Sequence, residues 1–127
     1  CCLGRTRYFD DPLASLAAAT DIRESTTWLD ARLHEWVLMP DHFHALLRLR
    51  SGTRLASLLH TVKGSSARAI NRRLGRVGTL WQPNFHDRAL RADENRVVVA
   101  RYIVANPLRS GLVDRIGDFP HWDCAWL

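Results

Sequence analysis

Residues 33–50 constrain the chain most. Leu33-His34-Glu35-Trp36-Val37-Leu38-Met39 and His42-Phe43-His44-Ala45-Leu46-Leu47-Arg48 are two strand-forming runs, and only Pro40-Asp41 separates them. Such runs around a short turn predict an antiparallel hairpin, with strands over 33–39 and 42–50. Successive side chains of a strand point to opposite faces. His42 and His44 therefore share one face, while Phe43, Ala45 and Leu47 point the other way into apolar packing. Two imidazoles side by side on a rigid strand begin a divalent metal site, although two ligands do not complete one. From spacing alone such a pair is more often polar surface than a metal site.

The flanking sequence supplies helices. Asp10-Asp11-Pro12 has an Asp cap and Pro at the first helical position, and predicts a helix from Pro12 to Thr26. Ser51-Gly52-Thr53 is expected to cap a second helix, whose apolar stripe is Leu55, Leu58, Leu59, Val62, Ala69 and Ile70 and which Gly75 ends. Within it, Gly64-Ser65-Ser66 is expected to mark a point of close packing or of backbone approach. A further strand is predicted over 84–90, and Asp93 is expected to cap a last helix over 94–105 that Asn106-Pro107 stops. The tail with Trp122 and Trp126 is expected to pack back on the domain. The order helix, strand, strand, helix, strand, helix is the ferredoxin-like βαββαβ order with its first strand truncated or missing. That is an α+β fold, with helices on one face of an antiparallel sheet and the other face open to a ligand.

Composition narrows the partner. The chain has 127 residues, expected to form a single domain over 1–127, and carries no run of about 18 apolar residues that would span a membrane. Eighteen basic residues against thirteen acidic give +5, and the pI is near 9.9, which points to a polyanion. All the basic residues but Lys63 are Arg, whose planar fork suits phosphate, although a GC-rich genome also favours Arg. Cys1, Cys2 and Cys124 make no even-numbered disulfide framework, so a cytoplasmic, nucleoid-associated location is expected. His121-x-x-Cys124 has zinc spacing, yet no Cys-x-x-Cys pair completes such a site. The sequence opens on Cys1-Cys2-Leu3 rather than Met, so a preceding N-terminal piece is expected.

The last helix carries Tyr102 and Asn106, four residues apart and hence on one face. Two imidazoles and an amide oxygen suit Mg²⁺ or Mn²⁺ with positions left open for phosphate oxygens, and a nearby tyrosine is a nucleophile for phosphorus. Each residue also has a plainer role: Tyr102 in the core, Asn106 as a helix stop. Spacing does not show that strand and helix meet.

Three blocks, Trp36-Val37-Leu38-Met39-Pro40-Asp41-His42-Phe43-His44, Leu80-Trp81-Gln82-Pro83-Asn84-Phe85-His86-Asp87-Arg88 and Tyr102-Ile103-Val104-Ala105-Asn106-Pro107-Leu108-Arg109-Ser110-Gly111-Leu112-Val113, taken in this order, resemble the single-tyrosine HUH transposases. Their REP-associated tyrosine transposase branch is the most similar. The resemblance implies a ferredoxin-like fold that cuts and rejoins single-stranded DNA at hairpin-forming repeats through a 5′-phosphotyrosine. It implies that His42 and His44 bind the metal, that Tyr102 is the nucleophile, and that Asn106 is the third ligand. The implied cofactor is Mg²⁺ or Mn²⁺, and the implied partner is single-stranded or hairpin DNA, bound by a monomer or homodimer. Lys63 and Trp81-Gln82 fall in the family's recurrent blocks. Lys63, Arg72, Arg73, Arg88 and Arg109 are the candidate DNA-binding residues. The family's usual first strand, with a Gly-x-x-Tyr-Phe-like element, is missing or vestigial. The alternative expectation is therefore a non-catalytic hairpin-binding protein derived from a truncated transposase.

Overall fold

The computed structural model describes residues 1–24 and 26–126. The hairpin forms as expected, with β1 at Ala31–Met39 and β2 at His42–Leu49. A third strand, β3 at Trp122–Cys124, pairs with the other edge of β1, giving the antiparallel order β2-β1-β3. The predicted strand over 84–90 does not form. Both edges of β1 are taken, and the aromatic tail supplies the third strand instead. Among the described residues no strand precedes the first helix. The chain there makes short 3-10 turns at Leu3–Arg5 and Tyr8–Asp10, and Cys2 makes a single bridge to Trp81.

Helix α1, Pro12–Glu24, starts as the sequence predicts. The Asp11 carboxylate accepts from the amides of Leu13 and Ala14 at 2.8 and 3.1 Å, which satisfies donors the first turn would otherwise orphan. Its predicted end passes through Ser25, outside the described residues, and Thr26 already belongs to a 3-10 turn over Thr26–Asp30. Helix α2, Leu55–Leu74, begins after Arg54 without a side-chain cap and ends at Gly75, whose φ of 61° is left-handed. The small Gly64-Ser65-Ser66 segment lies where α2 packs against α1. There the fully buried Ser66 hydroxyl donates to the Val62 carbonyl at 2.7 Å and accepts from Trp81 Nε1 at 2.9 Å.

Register fixes what each face of the sheet does. Trp36, Leu38, Phe43 and Ala45 join the core built with α1 and α2, and Leu47 packs with Leu58 and Val62 of α2. Helix α3, Arg96–Val104, lies across the opposite face. Its Ala100 and Val104 pack with Leu46 and Cys124. The expected open face is therefore crossed by α3 along part of its length. The cap of α3 is Asn95, two residues beyond the expected Asp93; its Oδ1 accepts from the amides of Val97 and Val98. Pro107 donates no amide proton, so α3 stops and the chain resumes as one turn, α4, at Asn106–Arg109.

Glu35 sits on the α3 face of β1, only 1% exposed, and neither carboxylate oxygen has a hydrogen-bond partner. Burial pushes its pKa up to about 8. The unfolded chain ionises near 4.5, so between that value and about 8 the folded state holds a proton the unfolded state lacks. Stability is then fully present below the unfolded value and lost as pH rises through the folded one. In urea melts, Glu35→Gln should stabilise the protein by a few kcal/mol more at about pH 8 than at about pH 5. Parallel pH profiles for variant and parent would contradict the account.

Candidate active site

His42 and His44 project from β2 on the α3 side, with ring centroids 4.9 Å apart and ring planes near perpendicular. The hairpin turn orients one of them: His42 Nδ1 lies 2.6 Å from Asp41 Oδ1, and Arg5 Nε lies 2.9 Å from the other Asp41 oxygen. A carboxylate only accepts, so Nδ1 is the donor in this contact, and in the neutral tautomer that the contact favours Nε2 is the nitrogen free to ligate. Burial alone would raise the Asp41 pKa, but the His42 hydrogen bond and the charges of His42 and Arg5 outweigh it and hold the carboxyl below its ordinary range. His44 is held below the ordinary imidazole value, first by burial and then by His42, Arg109 and Arg5. Part of the His44 surface meets water, which screens those charges, so what counts is the direction: a neutral ring at neutral pH.

Tyr102 is 65% exposed near the end of α3, and Asn106 follows across the Pro107 break. Arg109 joins them. Its guanidinium lies 3.7 Å from the centroid of the Tyr102 ring, donates to Asn106 Oδ1 at 3.0 Å, and also donates to the Tyr102 carbonyl. One cation is thereby fixed beside the tyrosine, a geometry that favours an incoming phosphate. Asn106 Oδ1 keeps a second lone pair. A donor set of two imidazole nitrogens and an amide oxygen has the chemistry of a divalent-ion site. Among the described residues, no three His, Cys, Asp or Glu side chains cluster as a metal site, so the set depends on Asn106.

The other candidates scatter. Lys63 spends its ammonium on the carbonyls of Gln82 and Asn84, at 2.7 and 2.8 Å, and so ties α2 to the loop over 82–84. Arg88 is paired with both oxygens of Glu94. Arg72 and Arg73 are exposed on α2, across the sheet from the histidines. Sequence alone assigns no role to Asp41, although its place immediately before His42 is the signal that could have found it. Arg109 is a candidate from sequence, but its stacking on Tyr102 is visible only in the structure.

Comparison with known proteins assigns the class. Residues 1–106 match the family described as "Transposase IS200 like", and the chain belongs to that family. It is similar to a REP-associated tyrosine transposase of Escherichia coli (strain K12), with 27% identity over 89 residues that take in 69% of this chain and 51% of that protein. The chain thus spans about half the length of that curated relative. A solved REP-associated tyrosine transposase bound to a REP hairpin shares its fold, with a TM-score of 0.68 and 22% identity over 93% of this chain and 68% of that one. The fold expected from the sequence is the fold of that relative.

The Asp41 contact is directly testable. Nitrogen-detected imidazole spectra should show neutral His42 protonated on Nδ1, and Asp41→Asn should weaken that preference. A parent spectrum with the proton on Nε2 would contradict the contact.

Proposed function

We propose that this chain cuts and rejoins single-stranded DNA at hairpin-forming repeats, as a metal-dependent transposase with Tyr102 as nucleophile. The observation that supports this reading is that α3 packs on the sheet face that carries His42 and His44. The exposed Tyr102, its stacked Arg109 and Asn106 belong to that same layer. His42, His44 and Asn106 would hold Mg²⁺ or Mn²⁺. When bound, such an ion supplies charge to the non-bridging oxygens of the scissile phosphate.

The chain's own residues do the rest. Asp41 keeps His42 in one tautomer and orientation, as carboxylates do for ligating histidines. Arg109 attracts and orients the phosphate beside the tyrosine. The Tyr102 hydroxyl oxygen forms the new bond to phosphorus as the bond from phosphorus to the 3′ oxygen breaks. The phenol proton goes to solvent, and the departing 3′ oxygen takes up a proton to become a free hydroxyl. The 5′ phosphate stays on Tyr102. Since one phosphodiester replaces another, the reverse step rejoins the strand without ATP.

Tyr102→Phe removes one oxygen and keeps the ring. With 5′- and 3′-labelled single-stranded hairpins and Mn²⁺, the parent should give a covalent adduct on a denaturing gel, and Tyr102→Phe should give none while binding the hairpin as the parent does. His42→Ala and His44→Ala should lose cleavage while their melting curves shift little, since both rings project from the sheet. An adduct that survives Tyr102→Phe would remove Tyr102 as the nucleophile. Hairpin binding with no adduct in the parent would favour the non-catalytic hairpin-binding protein instead.

A further inference from the structure

At the opposite end of the same sheet face lies a cationic groove that the proposed chemistry does not use. It begins with a β-bulge. Leu33 pairs with Leu47 and Glu35 with Leu46, so His34 is the extra residue of β1. The bulge resets the alternation of β1. Arg32 would otherwise face the α1–α2 core with Trp36, and instead shares the opposite face with Glu35 and Val37. There it lies directly across from Arg48. Two like charges opposed in an antiparallel pair destabilise the sheet, and here a third is added: Arg96, the first residue of α3, lines the same groove. Among the described residues none of the three has a carboxylate within 4.0 Å. Among the described residues Glu94 is the one acid lining the groove, and it is already committed to Arg88 at 2.8 and 2.9 Å.

His34 and Trp126 form the aromatic wall of this groove, with rings stacked at 5.1 Å and an interplanar angle of 16°. His34 Nε2 is buried and has no hydrogen-bond partner. Burial, and then the charges of Arg32, Arg96 and Arg48, hold His34 below its ordinary range, so the three guanidinium groups surround a neutral ring. Three exposed, unpaired guanidinium groups beside an aromatic wall have the chemistry of a nucleic-acid backbone site: forks for phosphate, and a ring against which a base can stack. The positive end of the α3 dipole adds to the same field. The groove is also in line with the histidines, because His42, His44, Leu46 and Arg48 share one face of β2.

We propose that Arg32, Arg48 and Arg96, with Trp126, form a second subsite for the same DNA strand, away from the scissile phosphate. From His44 to Arg48 is four strand residues, about 13 Å, which a stacked strand covers in about four nucleotides at 3.4 Å each. The subsite rests on the single-strand DNA reading above, and it accounts for an otherwise unfavourable Arg32–Arg48 pair as a cost met when phosphate binds.

The test uses the full chain, the double variant Arg48→Gln/Arg96→Gln, and labelled hairpins with single-stranded tails of about two or about eight nucleotides, on either side of the hairpin. The parent should bind one long-tailed hairpin about tenfold more tightly than its short-tailed counterpart. The double variant should keep short-tail affinity and lose that gain. Its log–log salt slope should also flatten, by about 0.7 for each phosphate it no longer neutralises. Trp126→Phe should retain most of the gain and Trp126→Ala should not. Relief of the like-charge pair should leave the melting temperature of Arg48→Gln equal or higher. A lower melting temperature would make Arg48 a structural residue and overturn the proposal, as would a double variant that keeps the full long-tail gain. If the parent still forms the Tyr102 adduct in either case, only the subsite falls. If it binds no hairpin at all, the functional reading falls with it.

Discussion

Both edges of β1 are hydrogen-bonded, to β2 on one side and to β3 on the other, and the rest of the molecule depends on that central position. Because β1 is held between two partners, its two faces can bury different things. Trp36 and Leu38 anchor the α1–α2 core, while Glu35 and Val37 face the α3 layer. β2 inherits this division through its register with β1. Phe43 and Ala45 are fixed toward the core, and that leaves His42 and His44 fixed on the other side. The two-residue period of a strand makes the division strict: a slip of one residue would bury both imidazoles and expose Phe43.

The layer opposite the core is what turns a pair of surface histidines into a site. Burying Ala100 and Val104 on Leu46 and Cys124 settles which way α3 faces and leaves Tyr102 on its exposed side. Pro107 then breaks the helix one residue after Asn106. The short turn that follows brings Arg109 back over the Tyr102 ring and onto Asn106. Asp41, Arg5 and Arg109 surround this region with hydrogen bonds and charge supplied by the hairpin turn, the N-terminal segment and α4. By contrast, the conspicuous basic run on α2, with Arg72 and Arg73, lies across the sheet from this chemistry. The charges nearest Tyr102 and the histidines are those of Arg109 and Arg5 rather than the run on α2.

Local signals in the sequence carried much of this. The hairpin, the sidedness of His42 and Phe43, the Asp11-Pro12 start of α1 and the Gly75 stop of α2 all follow from interactions a few residues long, which one stretch of chain expresses by itself. What was not legible depends on competition between distant segments. Residues 84–90 have strand-like sequence, but the edge of β1 went to Trp122–Cys124. Asn95 rather than Asp93 caps α3, accepting from the amides of Val97 and Val98. The facing of Arg32 was hidden for a related reason. Strict alternation from Trp36 sends it into the core, and only the bulge at His34 shows otherwise. The Tyr102–Arg109 stack needed the Pro107 turn, which spacing on an uninterrupted helix does not convey.

The central claim is that β2 and α3 together make one metal-binding, tyrosine-bearing face. Paramagnetic broadening by Mn²⁺ in the full chain tests it most directly, since the effect falls steeply with distance from the ion and needs no DNA or turnover. Substoichiometric Mn²⁺ should first broaden the ring signals of His42 and His44 and the side-chain amide of Asn106, then the ring of Tyr102. The signals of Arg72 and Arg73 should stay sharp. Broadening confined to the histidines, with Asn106 and Tyr102 unaffected, would separate the strand from the helix and contradict the account.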